Sequence, residues 1–128
     1  MPTAGNMRYD IIIQKKTLVR DEYGAEAKYR LAEIFYLNKD FRQCKETLFE
    51  LNKDFASYDD WVGKSYLLLA DNFLAMGESF QAKGTLKSLI ENFPLQPVKD
   101  AAREKLKTIE QDERKQKSLL EKSDSTGK

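Results

Sequence analysis

Leu67-x-Leu69-Ala70-x-x-Phe73, followed by Glu78-x-Phe80-x-Ala82-x-x-x-Leu86-x-x-Leu89, repeats an earlier stretch at an offset of 38 residues. The earlier copy reads Tyr29-x-Leu31-Ala32-x-x-Phe35, then Asp40-Phe41-x-x-Cys44-x-x-x-Leu48-x-x-Leu51. Small residues, aromatics and leucines return at matching places, and a short polar break falls at the same point in each copy. A fixed period in this size range marks a stack of similar helical units, each unable to bury its apolar face alone.

Working outward, Tyr23, Ala27, Leu31, Ile34 and Phe35 recur at steps of three and four, which predicts one amphipathic helix from Glu22 to about Asn38. Asn38-Lys39-Asp40 breaks it, and Asp40 is expected to cap a second helix running to about Phe55. After the loop at Ala56–Asp59, Asp59 or Asp60 is expected to cap a third helix over about 60–76. That helix is apolar on most sides, as a helix packed between neighbours should be. Gly77 is expected to end it. A fourth helix is predicted from about Glu78 to Asn92, and Pro97 suits the first turn of a fifth.

In the fifth helix Val98, Ala101, Ala102, Leu106 and Ile109 make a single stripe, after which the sequence is almost wholly charged. A stripe without a second apolar face is what a terminal cap requires. The organisation expected is therefore a leader and remnant of a preceding helix at 1–21, helix pairs at 22–55 and 59–94, and a capping helix at 97–110. A charged helical extension follows at 111–128, with the stretch from Lys122 expected to be disordered. Residues 1–7 read as a leader without a signal-peptide core, and no capping pattern stands at the N-terminal end. The fold class expected is all-α, antiparallel helix pairs stacked as a short solenoid.

Composition narrows the function. The 76 residues from 21 to 96 hold nine basic and thirteen acidic side chains, so the repeat region lacks the concentrated basic face that nucleic acid demands. The chain contains no histidine, the commonest general base and metal ligand. Cys44 is the one cysteine and occupies the position of Ala82 in the second copy, so it reads as a small buried thiol. No Gly-rich phosphate loop occurs, and Glu110, Asp112 and Glu113 lack metal-ligand spacing. No run approaches the ~18 apolar residues of a membrane span. The expectation is a protein that is not an enzyme, needs no metal or cofactor, binds no nucleic acid and does not insert into a membrane.

These residues resemble tetratricopeptide repeats. The second copy carries the family's pattern at Leu69, Ala70, Phe73, Gly77, Ala82, Leu86, Leu89 and Pro94; the first carries it at Leu31, Ala32, Phe35, Cys44, Leu48 and Leu51. Two departures stand out. The period exceeds the family's ~34 residues, with the extra length around Asp54–Asp60, and Lys28 stands where an aromatic should open the first helix. The stretches Gly24–Glu33 and Phe80–Lys83 also resemble the C-terminal repeats of envelope tetratricopeptide proteins of Bacteroidetes. That resemblance implies a periplasmic or envelope adaptor, and a cytoplasmic one where it does not hold.

The resemblance implies a protein-binding module whose first helices line a concave face. Its groove positions fall on Glu26, Tyr29, Glu33 and Tyr36 in the first copy and on Lys64, Leu67, Asp71 and Leu74 in the second. An apolar strip edged by carboxylates suits a peptide with apolar and basic residues, and tyrosines are favoured at such surfaces. The Lys and Asn pattern that reads peptide C-terminal carboxylates in one subtype is not present, because Tyr29, Glu33, Leu67 and Asp71 stand there. The alternative is a purely structural terminal segment that packs on upstream repeats or self-associates through its N-terminal end, where Ile11–Ile13 supplies an apolar run. A third reading makes residues 103–122 a charged helix for docking on a partner coiled coil.

Overall fold

The computed structural model describes residues 21–126, and these form five helices and no strand. They are α1 (Glu22–Leu37), α2 (Phe41–Asp54), α3 (Asp59–Ala75), α4 (Ser79–Asn92) and α5 (Gln96–Thr126). The apolar run Ile11–Ile13 and the remnant helix lie outside the described residues, as does any N-terminal association face.

Local chemistry sets most of the boundaries. Asp21 accepts a hydrogen bond from the Gly24 amide at 3.1 Å and opens α1. Asp40 does the same for α2 through the Gln43 amide at 3.4 Å. The expected capping by Asp59 or Asp60 is corrected. The Tyr58 carbonyl already accepts from the Trp61 and Val62 amides at 3.0 and 2.9 Å, so α3 starts one residue earlier and has no side-chain cap. Both aspartates sit inside its first turn, where their charge complements the positive end of the helix dipole. Gly77 follows the end of α3 with φ +78°, as the sequence required.

Packing follows the repeat. Helices α1 and α2 pair, α3 and α4 pair, and α5 packs on α4; α3 also touches α1, α2 and α5, whereas α2 and α4 do not meet. Thus α1, α3 and α5 form one layer and α2 and α4 the other. The arrangement is a short solenoid of helix pairs with α5 as the first helix of a third unit. The small residues at equivalent places, Ala32 with Cys44 and Ala70 with Ala82, are all buried and let the paired helices approach closely. Around the first pair lie Leu48 of α2 and Leu69 of α3, and around the second Leu86 of α4 with Val98 and Ala102 of α5. Tyr66 packs against every core cluster and joins them.

Lys28 resolves the missing aromatic. It is buried, and its ammonium lies 2.6 Å from the Glu50 carboxylate on α2. In the second unit the equivalent positions are Tyr66 and Ser88, which line an outer cavity of about 420 Å³ with Phe93. Asn72 joins the units: buried on α3, it donates through Nδ2 to the Phe41 carbonyl at the start of α2 at 2.9 Å.

Helix α5 does not stop after its apolar stripe. It runs as one helix through Thr126, past Lys122 where the sequence reading expected order to end. No Gly or Pro interrupts Val98–Thr126, and the Lys, Glu, Gln and Arg that fill its later turns are good helix formers. At 31 residues it reaches roughly 46 Å, against roughly 25 Å for α3, so its last turns overhang the bundle. Glu113 ties the start of that overhang to α4, accepting from Lys83 Nζ at 2.8 Å and from Ser79 Oγ at 3.2 Å. Beyond it Leu119 and Leu120 are exposed.

Candidate functional site

The layer α1, α3, α5 carries a groove of about 360 Å³. Six of the eight residues expected from the sequence line it: Tyr29, Glu33 and Tyr36 from α1, and Lys64, Leu67 and Asp71 from α3. Their spacing is the reason. Residues three and four apart on a helix share a face, and the repeat sets the two faces side by side. Leu74 is exposed and extends the groove toward Ile109 of α5. Glu26 lies outside the lining; its charge acts on Arg30, one turn on.

The aromatic floor is organised from Tyr29. Its ring lies 5.7 Å from that of Trp61 in the first turn of α3, at a tilt of 51°. Burial, and after it the Glu33 carboxylate, push the Tyr29 hydroxyl up to about 12, so it stays protonated across the physiological range. Tyr36 meets Phe41 edge-on at 5.8 Å, and burial followed by Asp71 raises its pKa too. Both tyrosines are only half buried, so packing and groove share each ring. Leu67 divides in the same way, packed against the core of the second unit on one side and open to the groove on the other.

Charges in the groove differ from the expected strip of free carboxylates. Glu33 accepts from Arg30 Nη1 at 2.8 Å, and that bond is the main reason the guanidinium pKa is raised. Asp71 accepts twice from Lys105 Nζ of α5, at 3.0 and 2.9 Å. Lys64 has no ion-pair partner among the described residues and rests over the Trp61 ring, its Nζ 4.5 Å from the centroid. Arg30 lies over the same ring at 5.9 Å and over Tyr29 at 5.5 Å.

The sequence reading missed Lys105, Arg30 and Trp61. Lys105 was findable: it stands 34 positions after Asp71, the ordinary spacing between successive repeats. Arg30 and Glu33 form an i,i+3 pair that sequence also displays.

Cys44 faces the core between α1 and α2; burial, then the Asp40 charge, push its thiol up to about 12, which removes the thiolate that reactivity needs. Among the described residues, no group of three or more His, Cys, Asp or Glu could hold a metal ion, and no helix is long and apolar enough to cross a membrane.

Residues 64–95, which span most of α3 and all of α4, match the family model described as tetratricopeptide repeat. The match covers 32 of the 128 residues and supports a tetratricopeptide-repeat identity for that stretch; repeats of this family serve as generic protein–protein interaction modules. Comparison with curated proteins and with solved structures gave no match.

Proposed function

We propose, from the premise of a tetratricopeptide-repeat identity, that this chain is an adaptor that holds a peptide or a segment of a partner protein on the concave face of α1, α3 and α5. The observation that carries this reading is the groove itself. Residues from three helices, far apart in sequence, bring tyrosines and leucines to one surface, where Tyr29, Tyr36 and Leu67 pack on the core with one side and stay open on the other. Amphipathic rings and leucines in a preformed depression are what a peptide ligand buries against.

The double variant Tyr36→Ala with Leu74→Ala tests it. Partner capture should fall while helicity, followed by circular dichroism, is retained, since Leu74 is exposed and Tyr36 half buried. Equal loss of helicity and of binding would remove the support for a binding role. In this reading the adaptor belongs to a larger envelope-associated assembly, as the resemblance to envelope repeat proteins implies.

A structural reading has one observation in its favour. The overhanging turns of α5 carry Leu119 and Leu120 into solvent, an apolar step that a neighbouring chain could cover. Light scattering separates the two: an adaptor stays monomeric at micromolar concentration, a packing segment does not.

A further inference from the structure

The groove has two chemically different ends. At one end, near the last turns of α1 and α3, Tyr36, Leu37 and Leu74 offer apolar surface. At the other, in the first turns of α3, Trp61 carries two cations over its ring, Arg30 at 5.9 Å and Lys64 at 4.5 Å. Internal carboxylates do not balance them equally. Arg30 is bonded to Glu33 and also feels Glu26, while Lys64 has no carboxylate within ion-pair distance among the described residues. The remaining carboxylate of the lining, Asp71, is held by Lys105. The lining therefore presents one unpaired charge, and it is positive.

We propose that the segment held in the groove carries an acidic side chain, set against Lys64 beside Trp61, with apolar side chains continuing over Tyr29 and Leu67 toward Leu74. This rests on the reading that the groove is the partner-binding face. It reverses the charge that the bare sequence suggested, because the carboxylates counted there are already occupied by Arg30 and Lys105. An apolar segment with a basic residue would leave Lys64 facing a like charge and would have to break the Asp71–Lys105 bond to gain a partner. Complementary charge of this kind selects partners and fixes register more than it adds affinity.

The test is selection of random phage-displayed peptides on the immobilised full chain, run in parallel on Lys64→Glu and Lys64→Gln, with circular dichroism confirming that both variants are helical. On the wild-type chain, Asp or Glu next to apolar residues should be enriched. A synthetic peptide from that pool should bind Lys64→Gln about two- to fivefold more weakly and should lose affinity as salt is raised. On Lys64→Glu the enriched residue should change to Lys or Arg. Neutral or basic sequences on the wild-type chain, or the same acidic sequences on all three proteins, overturn the charge assignment while leaving the groove as the binding face. Enriched peptides that bind Tyr36→Ala with Leu74→Ala as well as wild type, or no enrichment on any protein, overturn the groove reading together with the assignment.

Discussion

Lys39 and Gly77 occupy the same place in successive repeats and share a left-handed backbone, with φ +62° and +78°. Each follows the last residue of a first helix by two positions. The amides of Lys39 and Gly77 bond back to Tyr36 and Leu74, and those of Asp40 and Glu78 reach Phe35 and Phe73 at 2.8 Å. This six-to-one closure ends both helices and turns the chain into its pair. Glycine adopts that conformation freely, whereas a lysine there is strained by its Cβ.

Lys39→Gly should therefore stabilise the protein, by about 0.5–1 kcal/mol once the greater freedom of glycine in the unfolded chain is deducted. Gly77→Lys should cost about 0.5–1 kcal/mol by the same balance. Urea denaturation reads both, and a loss on Lys39→Gly would mean that the lysine side chain contributes something beyond its backbone.

Gly63 and Gly84 should respond oppositely to alanine. A Cβ on Gly63 would lie 2.6 Å from Val98 Cγ2 and 3.1 Å from the Phe93 ring, where α3 meets the start of α5. Val98 is buried and β-branched, so it has little room to turn aside. Overpacking of about 1–3 kcal/mol outweighs the helix-propensity gain of about 1 kcal/mol, and Gly63→Ala should lower the melting temperature. Gly84 has nothing within 4 Å of such a Cβ. Gly84→Ala should raise it.

Alkaline pH should unfold the chain partly through Cys44. Its thiol rises from 9.0 in the unfolded chain to about 12 in the fold, and the Tyr29 hydroxyl rises from 10.0 to about 12. A raised pKa means that the folded state holds its proton more tightly. The stability is intact below pH 9 and declines between 9 and 12 as the unfolded state loses protons first. Cys44→Ala should flatten that decline, and in the native protein a thiol reagent at pH 8 should react only when urea opens the structure.

The repeat was legible because its apolar positions obey the helical period and the small residues recur at a fixed offset. Asp40 could be read as a cap from its own chemistry. Asp59 and Asp60 misled because several residues there can open a helix, and a backbone acceptor, the Tyr58 carbonyl, decided the start. The groove positions on α1 and α3 came from the resemblance to tetratricopeptide repeats, but their charge state did not. Glu33 and Asp71 look free in sequence, and only the approach of α5 brings Lys105 onto Asp71. Lys28 was legible only as an absence, since its partner Glu50 lies on another helix.

Position-specific photo-crosslinking in the producing cells shows whether the groove meets a protein. A benzophenone amino acid placed at Leu67, in the groove, is compared with one at Phe49, exposed on α2 in the other layer. A discrete adduct with a protein partner is expected from Leu67 and none from Phe49. Adducts formed from Phe49 alone, or equally from both positions, would contradict the groove reading.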